Sequence, residues 1–218
     1  MTAASYWIVS TTSIDGKVRG GKKGQRLASI VPMPEKVLGE IHKTRAKFDA
    51  IMVGANTVKA DDPSLTVRYF KTKKTPYRIT VSQKADLNPN SKIFDSSART
   101  VLITTSRASN TKTVRLRQKR VVIIDTGEKI DFVKASQKLA KLGIKKIMVE
   151  GGPILIASLL KTGLVRGVTL ITYPMVLNDA KAPLLFKDEP RGHIITLHLQ
   201  KCYQIEGFAF RIYEIDQT

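Results

Sequence analysis

Between residues 77 and 162, short apolar runs alternate with segments of helical spacing, and this alternation most limits the folds open to the chain. Strands are predicted at 77–82, 100–104, 120–125 and 145–149, and helices near 109–118, 131–142 and 153–162. Connections of that length between buried strands make crossovers, so the sheet is largely parallel and the class is α/β. Upstream, Ser5 to Thr12 is a first strand built around Tyr6, Trp7, Ile8 and Val9. Pro34 can open a helix on which Val37, Leu38, Ile41, Arg45 and Phe48 recur at helical spacing. Asp49 to Gly54 is a second buried strand, and 55–63 is a short helical turn stopped by Pro63. The end of the chain differs. Residues 165–176, 194–205 and 207–216 are β-rich and joined by short turns such as Glu206-Gly207, which predicts antiparallel strands at the sheet edge. No internal repeat or composition break divides the chain, so a single domain over 1–218 is expected.

Composition removes several classes of function. One cysteine and three histidines exclude a disulfide scaffold and a Cys/His zinc cluster, so no metal is expected. No stretch approaches 18 apolar residues, and the N-terminus lacks a basic, apolar, cleavable leader, so a cytoplasmic protein is expected. The formal charge of +19 admits nucleic acid, a polyanionic small molecule, or only a lysine-rich surface. Residues 17–48 carry nine Lys and Arg, 59–84 seven and 99–120 seven, so the charge is dispersed, with no basic tail or recognition helix.

In an open α/β sheet, ligands lie beyond the carboxyl ends of the strands. Four polar clusters fall there: Thr11 to Lys17, Gly54 to Arg68, Ser82 to Lys84 with Thr104 to Arg107, and Glu150 to Pro153. In the last, two glycines permit close backbone approach, Pro153 suits a first helical turn, and free N–H groups would face an anion such as pyrophosphate. A plain tight strand-to-helix turn has the same sequence. Neither GxGxxG nor a Walker A motif occurs, which argues against a Rossmann or P-loop protein. A carboxylate such as Glu150, ending a buried strand, is costly unless paired or used. Of the adjacent Asp61 and Asp62, at most one is expected to face a site, with Asp62 available to cap a turn before Pro63. Arg68 has the fork geometry to hold a phosphate.

Taken together, Ser13-Ile-Asp-Gly-Lys17, His42-Lys-Thr-Arg-Ala46, the block Asp49 to Arg68, and Val149-Glu-Gly-Gly-Pro153 resemble the reductase of riboflavin biosynthesis. The likeness runs from about residue 4 to 214, and the 49–68 block is its most specific part. That family is similar in fold to dihydrofolate reductase. The resemblance therefore implies a mostly parallel central sheet with helices on both faces and antiparallel C-terminal edge strands. It further implies NADPH-dependent reduction of a ribosylamino-pyrimidinone 5′-phosphate by hydride delivery to ribose C1′. The chain has neither the H-x-E nor the P-C-x-x-C of the zinc deaminases, so the stand-alone type acting on the diamino substrate is implied. The resemblance also implies a homodimer, through C-terminal strands carrying Leu170, Ile171 and Tyr173.

Site residues follow from the same likeness. It gives Lys17, Asp61 and Glu150 catalytic positions, and Arg45, Leu65, Arg68 and Glu150 contacts to substrate, with Arg45 and Arg68 around the 5′-phosphate. It assigns cofactor binding to Thr11, Thr57, Asp61, Ser82, Gln83, Lys84, Gly151, Gly152, Pro153, Ile154 and Leu155. The pyrophosphate segment extends to Ser158, and Ser106 and Arg107 are further candidates for the 2′-phosphate. Relatives of the dihydrofolate type join the two glycines by a cis peptide, so one is expected between Gly151 and Gly152. The chain departs from the family pattern at Gln25, at Arg26-Leu-Ala-Ser29, through a longer 30–34 segment, at Arg166, and at Asn178-Asp179, where Gly-Gly is usual.

Two rival functions remain. A dihydrofolate-type pterin reductase predicts turnover of dihydrofolate. A basic nucleic-acid-binding module predicts salt-dependent binding without NADPH affinity, and leaves the 49–68 block without a role. The remaining singled-out residues read as structural. His42 is expected on a helix surface, His42, His193 and His198 are not spaced as ligands, and Cys202 is expected in core or edge packing. Trp7 is expected under the sheet, and Lys71 to Lys74 in a solvated loop.

Overall fold

The computed structural model describes residues 3–20, 24–186 and 194–216. Its elements, in chain order, are β1 (Ser5–Thr12), β2 (Arg19–Gly20), β3 (Gln25–Arg26), α1 (Leu27–Ile30), α2 (Glu35–Arg45), β4 (Ala50–Gly54) and α3 (Ala55–Asp61). They continue with β5 (Tyr77–Val81), a 3₁₀ turn (Lys92–Phe94), β6 (Thr100–Thr104), α4 (Asn110–Gln118), β7 (Val122–Asp125) and α5 (Phe132–Lys141). The last are β8 (Lys146–Val149), α6 (Pro153–Leu160), β9 (Val165–Thr172), β10 (Leu197–Ile205) and β11 (Phe208–Ile215). The chain gathers into two compact units, Met1–Ser5 with His42–Met148, and Tyr6–Ile41 with Val149–Thr218.

In the first unit, β4, β5, β6 and β7 pair in that order, all parallel, with β8 beside β4. Parallel strands are covered on both faces, which is why Ala50-Ile-Met-Val53 and Val101-Leu-Ile103 are continuous apolar runs at 0–1 % exposure. Ile51, Val53, Val58, Leu102 and Leu116 belong to one core cluster. Each such side chain contributes about 1.5–3 kcal/mol on burial. On α5, Phe132, Ala135, Ser136 and Leu139 form the buried stripe, and the Asp131 carboxylate caps the helix by accepting from the Lys134 amide at 2.9 Å. Asp49 pins the entry to β8, where its Oδ2 accepts from the amides of Lys145 and Lys146 at 3.0 and 2.9 Å. Burial pushes this carboxyl up, but those amides and the Lys74 ammonium outweigh it and hold it below the ordinary carboxylate range.

In the second unit, β1 runs parallel to β9, β11 antiparallel to β9, and β10 antiparallel to β11. The predicted C-terminal hairpin is present. Glu206 and Gly207 have φ of 48° and 83°, the two left-handed residues of a tight hairpin turn. Tyr173 and Phe208 meet edge to face at 4.8 Å in the core. Trp7 lies against Gly167, where a Cβ would come within 2.5 Å of the indole, and its Nε1–H donates to Thr169 Oγ1 at 2.9 Å.

Several expectations need correction. β9 stops at Thr172, so 173–176 is not strand. Ile171 and Tyr173 are each 1 % exposed, used by the unit's own core and not available to a partner strand. Cys202 is exposed on β10, a strand paired on one side only in the order of strands. His42 is not on the surface; it is 3 % exposed, because residues 66–69 fold over it. His193 lies outside the described residues. Lys71 to Lys74 are exposed as expected, with Lys74 paired to Asp49 at 3.0 Å.

Candidate active site

Within the first unit, the C-terminal turn of α2 meets the chain segment that follows α3. His42 and Arg45 are three residues apart and so share one face of the helix. Arg45 Nη1 donates to the Thr66 carbonyl at 2.9 Å, and Arg68 Nη1 donates to Thr66 Oγ1 at 2.9 Å. One threonine thus engages both guanidinium groups, from its main chain and its side chain. The Arg68 amide donates to His42 Nδ1 at 2.8 Å, and Arg45 Nη1 lies 3.3 Å from His42 Nε2. The Arg68 side chain is exposed, and that of Arg45 half-buried. Two guanidinium groups anchored on one residue form a fork with the geometry and charge to receive a dianion.

β4 ends at Gly54, which starts α3 without a side-chain cap. Thr57 and Asp61 lie on this helix, both half-buried. Asp62 takes a left-handed conformation (φ 40°) to end the helix, its Oδ1 accepts from the Lys92 amide at 2.8 Å, and its Oδ2 lies 3.8 Å from Lys92 Nζ. Leu65 also has positive φ (49°), and its side chain enters the core cluster with Ile51 and Val58. Any contact from Leu65 to a ligand therefore comes from its backbone.

The ends of β5 and β6 are tied together by threonines. Thr104 Oγ1 donates to the Ser82 carbonyl at 2.7 Å, and Thr105 Oγ1 to the Gln83 carbonyl at 2.8 Å. Ser82 is buried, its Oγ accepting from the Asp86 amide at 3.2 Å, while Gln83, Lys84, Ser106 and Arg107 are exposed. Threonine hydroxyls fix the backbone here and leave the polar and basic tips outward.

In the second unit, Thr11 lies opposite Ile171 near the end of β1. The turn after β1 closes on itself, since the Ser13 amide donates to the Lys17 carbonyl and the Lys17 amide to Ser13 Oγ, with Gly16 at φ 77°. Asp15 docks this turn, its two carboxylate oxygens accepting from the amides of Leu177 and Asn178, both at 3.1 Å. The Ser13 hydroxyl and the Leu177 amide bring its pKa down to about 2 against the upward push of burial. Lys17 Nζ donates to the Ala182 carbonyl at 3.2 Å, which aims the ammonium. Asn178 adopts φ 50°, a conformation that asparagine tolerates better than most residues.

Glu150, half-buried, precedes the turn into α6. Gly151 is buried, and a Cβ there would lie 2.5 Å from Leu155 Cδ2, so packing alone calls for glycine. A Cβ on Gly152 would meet nothing within 4 Å. Gly152 is extended (φ −79°, ψ 176°), Pro153 sits in the first turn, and neither a side-chain cap nor an acidic residue occupies this helix start. Ile154 is exposed and Leu155 buried. The expected cis peptide is absent, since no cis bond occurs among the described residues. An extended Gly152 leads directly into the proline, so the turn is completed with a trans bond.

Sequence reasoning missed His42, Thr66 and the docking role of Asp15. The His42–Arg45 spacing was a visible signal for the first. Nothing near residue 15 in the sequence announced its partners more than 160 positions later. Among the described residues, no group of three or more His, Cys, Asp and Glu could hold a metal ion, and no helix is long and apolar enough to cross a membrane.

Comparison with known proteins places these motifs in context. The family model of the RibD C-terminal domain matches residues 6–207. A 2,5-diamino-6-ribosylamino-4(3H)-pyrimidinone 5′-phosphate reductase of Aquifex aeolicus is 34% identical over 186 residues, covering 84% of this chain and 82% of its own. The protein of the same description from Methanothermobacter thermautotrophicus is 30% identical over 198 residues, covering 88% and 89%. Among solved structures, Acinetobacter baumannii RibD superposes with a TM-score of 0.82 at 18% identity, over 98% of this chain. The chain spans 58% of that longer protein. The fold is thus α/β and dihydrofolate reductase-like, with a mostly parallel sheet and antiparallel C-terminal strands. The chain belongs to the RibD C-terminal domain family.

Proposed function

We propose that this chain is an NADPH-dependent reductase of riboflavin biosynthesis, converting 2,5-diamino-6-ribosylamino-4(3H)-pyrimidinone 5′-phosphate to its ribitylamino form. The observation that carries this reading is the likeness to the Aquifex aeolicus reductase, which extends over more than four-fifths of both chains. The family match across residues 6–207 supports reading 1–218 as one reductase domain.

When bound, NADPH supplies the hydride for ribose C1′. The residues present suit it. The uncapped start of α6, free of acidic side chains and open above Gly152, has the donor set for a pyrophosphate. In this reading Gly151, Gly152, Pro153, Ile154 and Leu155 hold that group, and Thr11, Thr57 and Asp61 serve the nicotinamide end. Ser82, Gln83 and Lys84, with Ser106 and Arg107, receive the 2′-phosphate that distinguishes NADPH from NADH.

Arg45 and Arg68 bind the substrate phosphate, and Leu65 contacts the substrate through its backbone. The sugar ring opens as its ring oxygen leaves C1′ and takes a proton, which produces an imine or iminium at C1′ able to accept hydride. Lys17, Asp61 and Glu150 orient the sugar and assist these proton movements. The protein is read as cytoplasmic and homodimeric. The exposed Leu197 and Leu199 on β10 support the second point.

The test is turnover of the diamino substrate, followed as loss of reduced-nicotinamide absorbance and by identifying the ribitylamino product. Asp61→Asn combined with Glu150→Gln is expected to abolish turnover. Full activity in that double variant would remove the acid–base roles. Oxidation with dihydrofolate and none with the pyrimidine phosphate would replace the whole reading with a pterin reductase.

A further inference from the structure

We infer that His42 is the positioning residue for the phosphate-binding arginines, acting as a neutral hydrogen-bond acceptor that sets the backbone at Arg68. The inference rests on the reading that Arg45 and Arg68 hold the substrate phosphate.

The geometry starts from the donors. A main-chain amide can only donate, and the Arg68 amide points at His42 Nδ1 from 2.8 Å. A guanidinium can only donate as well, and Arg45 Nη1 stands 3.3 Å from Nε2. The shorter bond requires the lone pair at Nδ1, which puts the proton of the neutral ring on Nε2. Nε2, carrying that proton, cannot accept from the guanidinium, and Arg45 Nη1 donates instead to the Thr66 carbonyl, 2.9 Å away. The ring itself is fixed, being 3 % exposed and packed edge to face on Tyr69 at 5.0 Å.

The arrangement matters because residues 62–76 contain no helix or strand. No backbone ladder holds Arg68 in place. His42 supplies from a rigid helix the acceptor that a ladder would supply, and it does so on the same helical face as Arg45. Loss of the acceptor leaves the Arg68 amide without this partner and loosens the fork that must meet a dianion. Loss of one well-placed hydrogen bond is expected to weaken phosphate binding about tenfold.

Three variants and two substrates test this. His42→Phe keeps a buried ring and removes the acceptor. His42→Asn keeps an acceptor at the place of Nδ1, and His42→Gln keeps one at the place of Nε2. Each is assayed with the diamino substrate phosphate and with its dephosphorylated ribosylamino counterpart, after melting curves establish folding. His42→Phe is expected to raise KM for the phosphate about tenfold, with kcat within about twofold and the dephosphorylated substrate unaffected. His42→Asn is expected to recover most of the loss and His42→Gln little of it. Equal losses on both substrates, a fall in kcat alone, or rescue by Gln in place of Asn would overturn the inference. If His42→Phe fails to fold, the Asn and Gln variants decide alone. Arg45→Ala and Arg68→Ala serve as the control on the reading beneath. If they do not discriminate between the two substrates, that reading fails. If they do and His42→Phe does not, the role of His42 alone is refuted.

Discussion

At the end of α2, an anion would meet side chains wired to one another: Arg45 and Arg68 both bond Thr66, and His42 bonds the Arg68 amide. At the start of α6 the arrangement is the reverse. There Gly152 offers bare backbone, no side chain caps the helix, and an added Cβ would meet nothing within 4 Å. The first region carries formal charge and needs surrounding structure to hold it in place. The second carries only partial charge, from aligned peptide groups, and needs surrounding space. A phosphate that must be recognised in one orientation suits the first, whereas a pyrophosphate lying along a backbone suits the second.

The contrast can be broken most directly at the arginines. Arg68→Ala removes a charge-assisted contact worth about 1.5–3 kcal/mol, so KM for the substrate phosphate should rise by roughly 10- to 150-fold. NADPH affinity, measured by calorimetry, should be unchanged. At α6, Gly152→Ala should leave the melting temperature within experimental scatter, because the methyl group has room. The NADPH Kd should nevertheless rise about tenfold if a ligand comes this close to the backbone. Gly151→Ala is the partner experiment. It should lower the melting temperature, since the new Cβ crowds Leu155.

Thr66→Val probes how far the first region depends on its wiring. It removes the acceptor for Arg68 and leaves the carbonyl used by Arg45, so KM should rise only about fivefold, for one hydrogen bond of about 1 kcal/mol. The smallest effect belongs to Asp15, which lies in neither region. Its carboxyl is held at about 2 in the folded chain, against an ordinary 3.8. Its contribution is therefore complete above the ordinary value and is lost as pH falls through about 2. Asp15→Asn should flatten the acid limb of a stability curve over that window, followed by thermal melts in buffers of falling pH.

Much of the framework was legible because its causes are local. Ala50 to Val53 and Val101 to Ile103 are strands by composition alone, and Glu206-Gly207 specifies its own turn. The start of α6 was legible for the same reason, since Gly-Gly-Pro acts on its own backbone. The surroundings of the arginines were not. His42 has the spacing of an ordinary helix position, and it becomes buried only because residues some 24–27 positions later cover it. Arg78 makes the point more strongly. In the strand Tyr77–Val81 it is a charge expected at a surface, yet it is 0 % exposed. Asp95, Thr100 and the carbonyl of Lys92 satisfy its guanidinium. In the same contact, burial pushes the Asp95 carboxyl up, while Ser97 and Arg78 pull it down to about 2. Long-range polar pairing of this kind has no periodicity for a sequence to display. The formal charge of +19 is likewise not one feature: Arg78 is enclosed by polar partners, whereas Arg68, Lys84 and Arg107 are exposed.

Trp7 is the chain's only tryptophan, and it is held against Gly167 and bonded to Thr169. All three lie in the unit formed by Tyr6–Ile41 and Val149–Thr218. Intrinsic emission therefore reports on the β1–β9 pairing. Circular dichroism watches both units. Recorded side by side in one denaturant series, the two signals turn a single indole into a natural label for asking whether the molecule melts in one step.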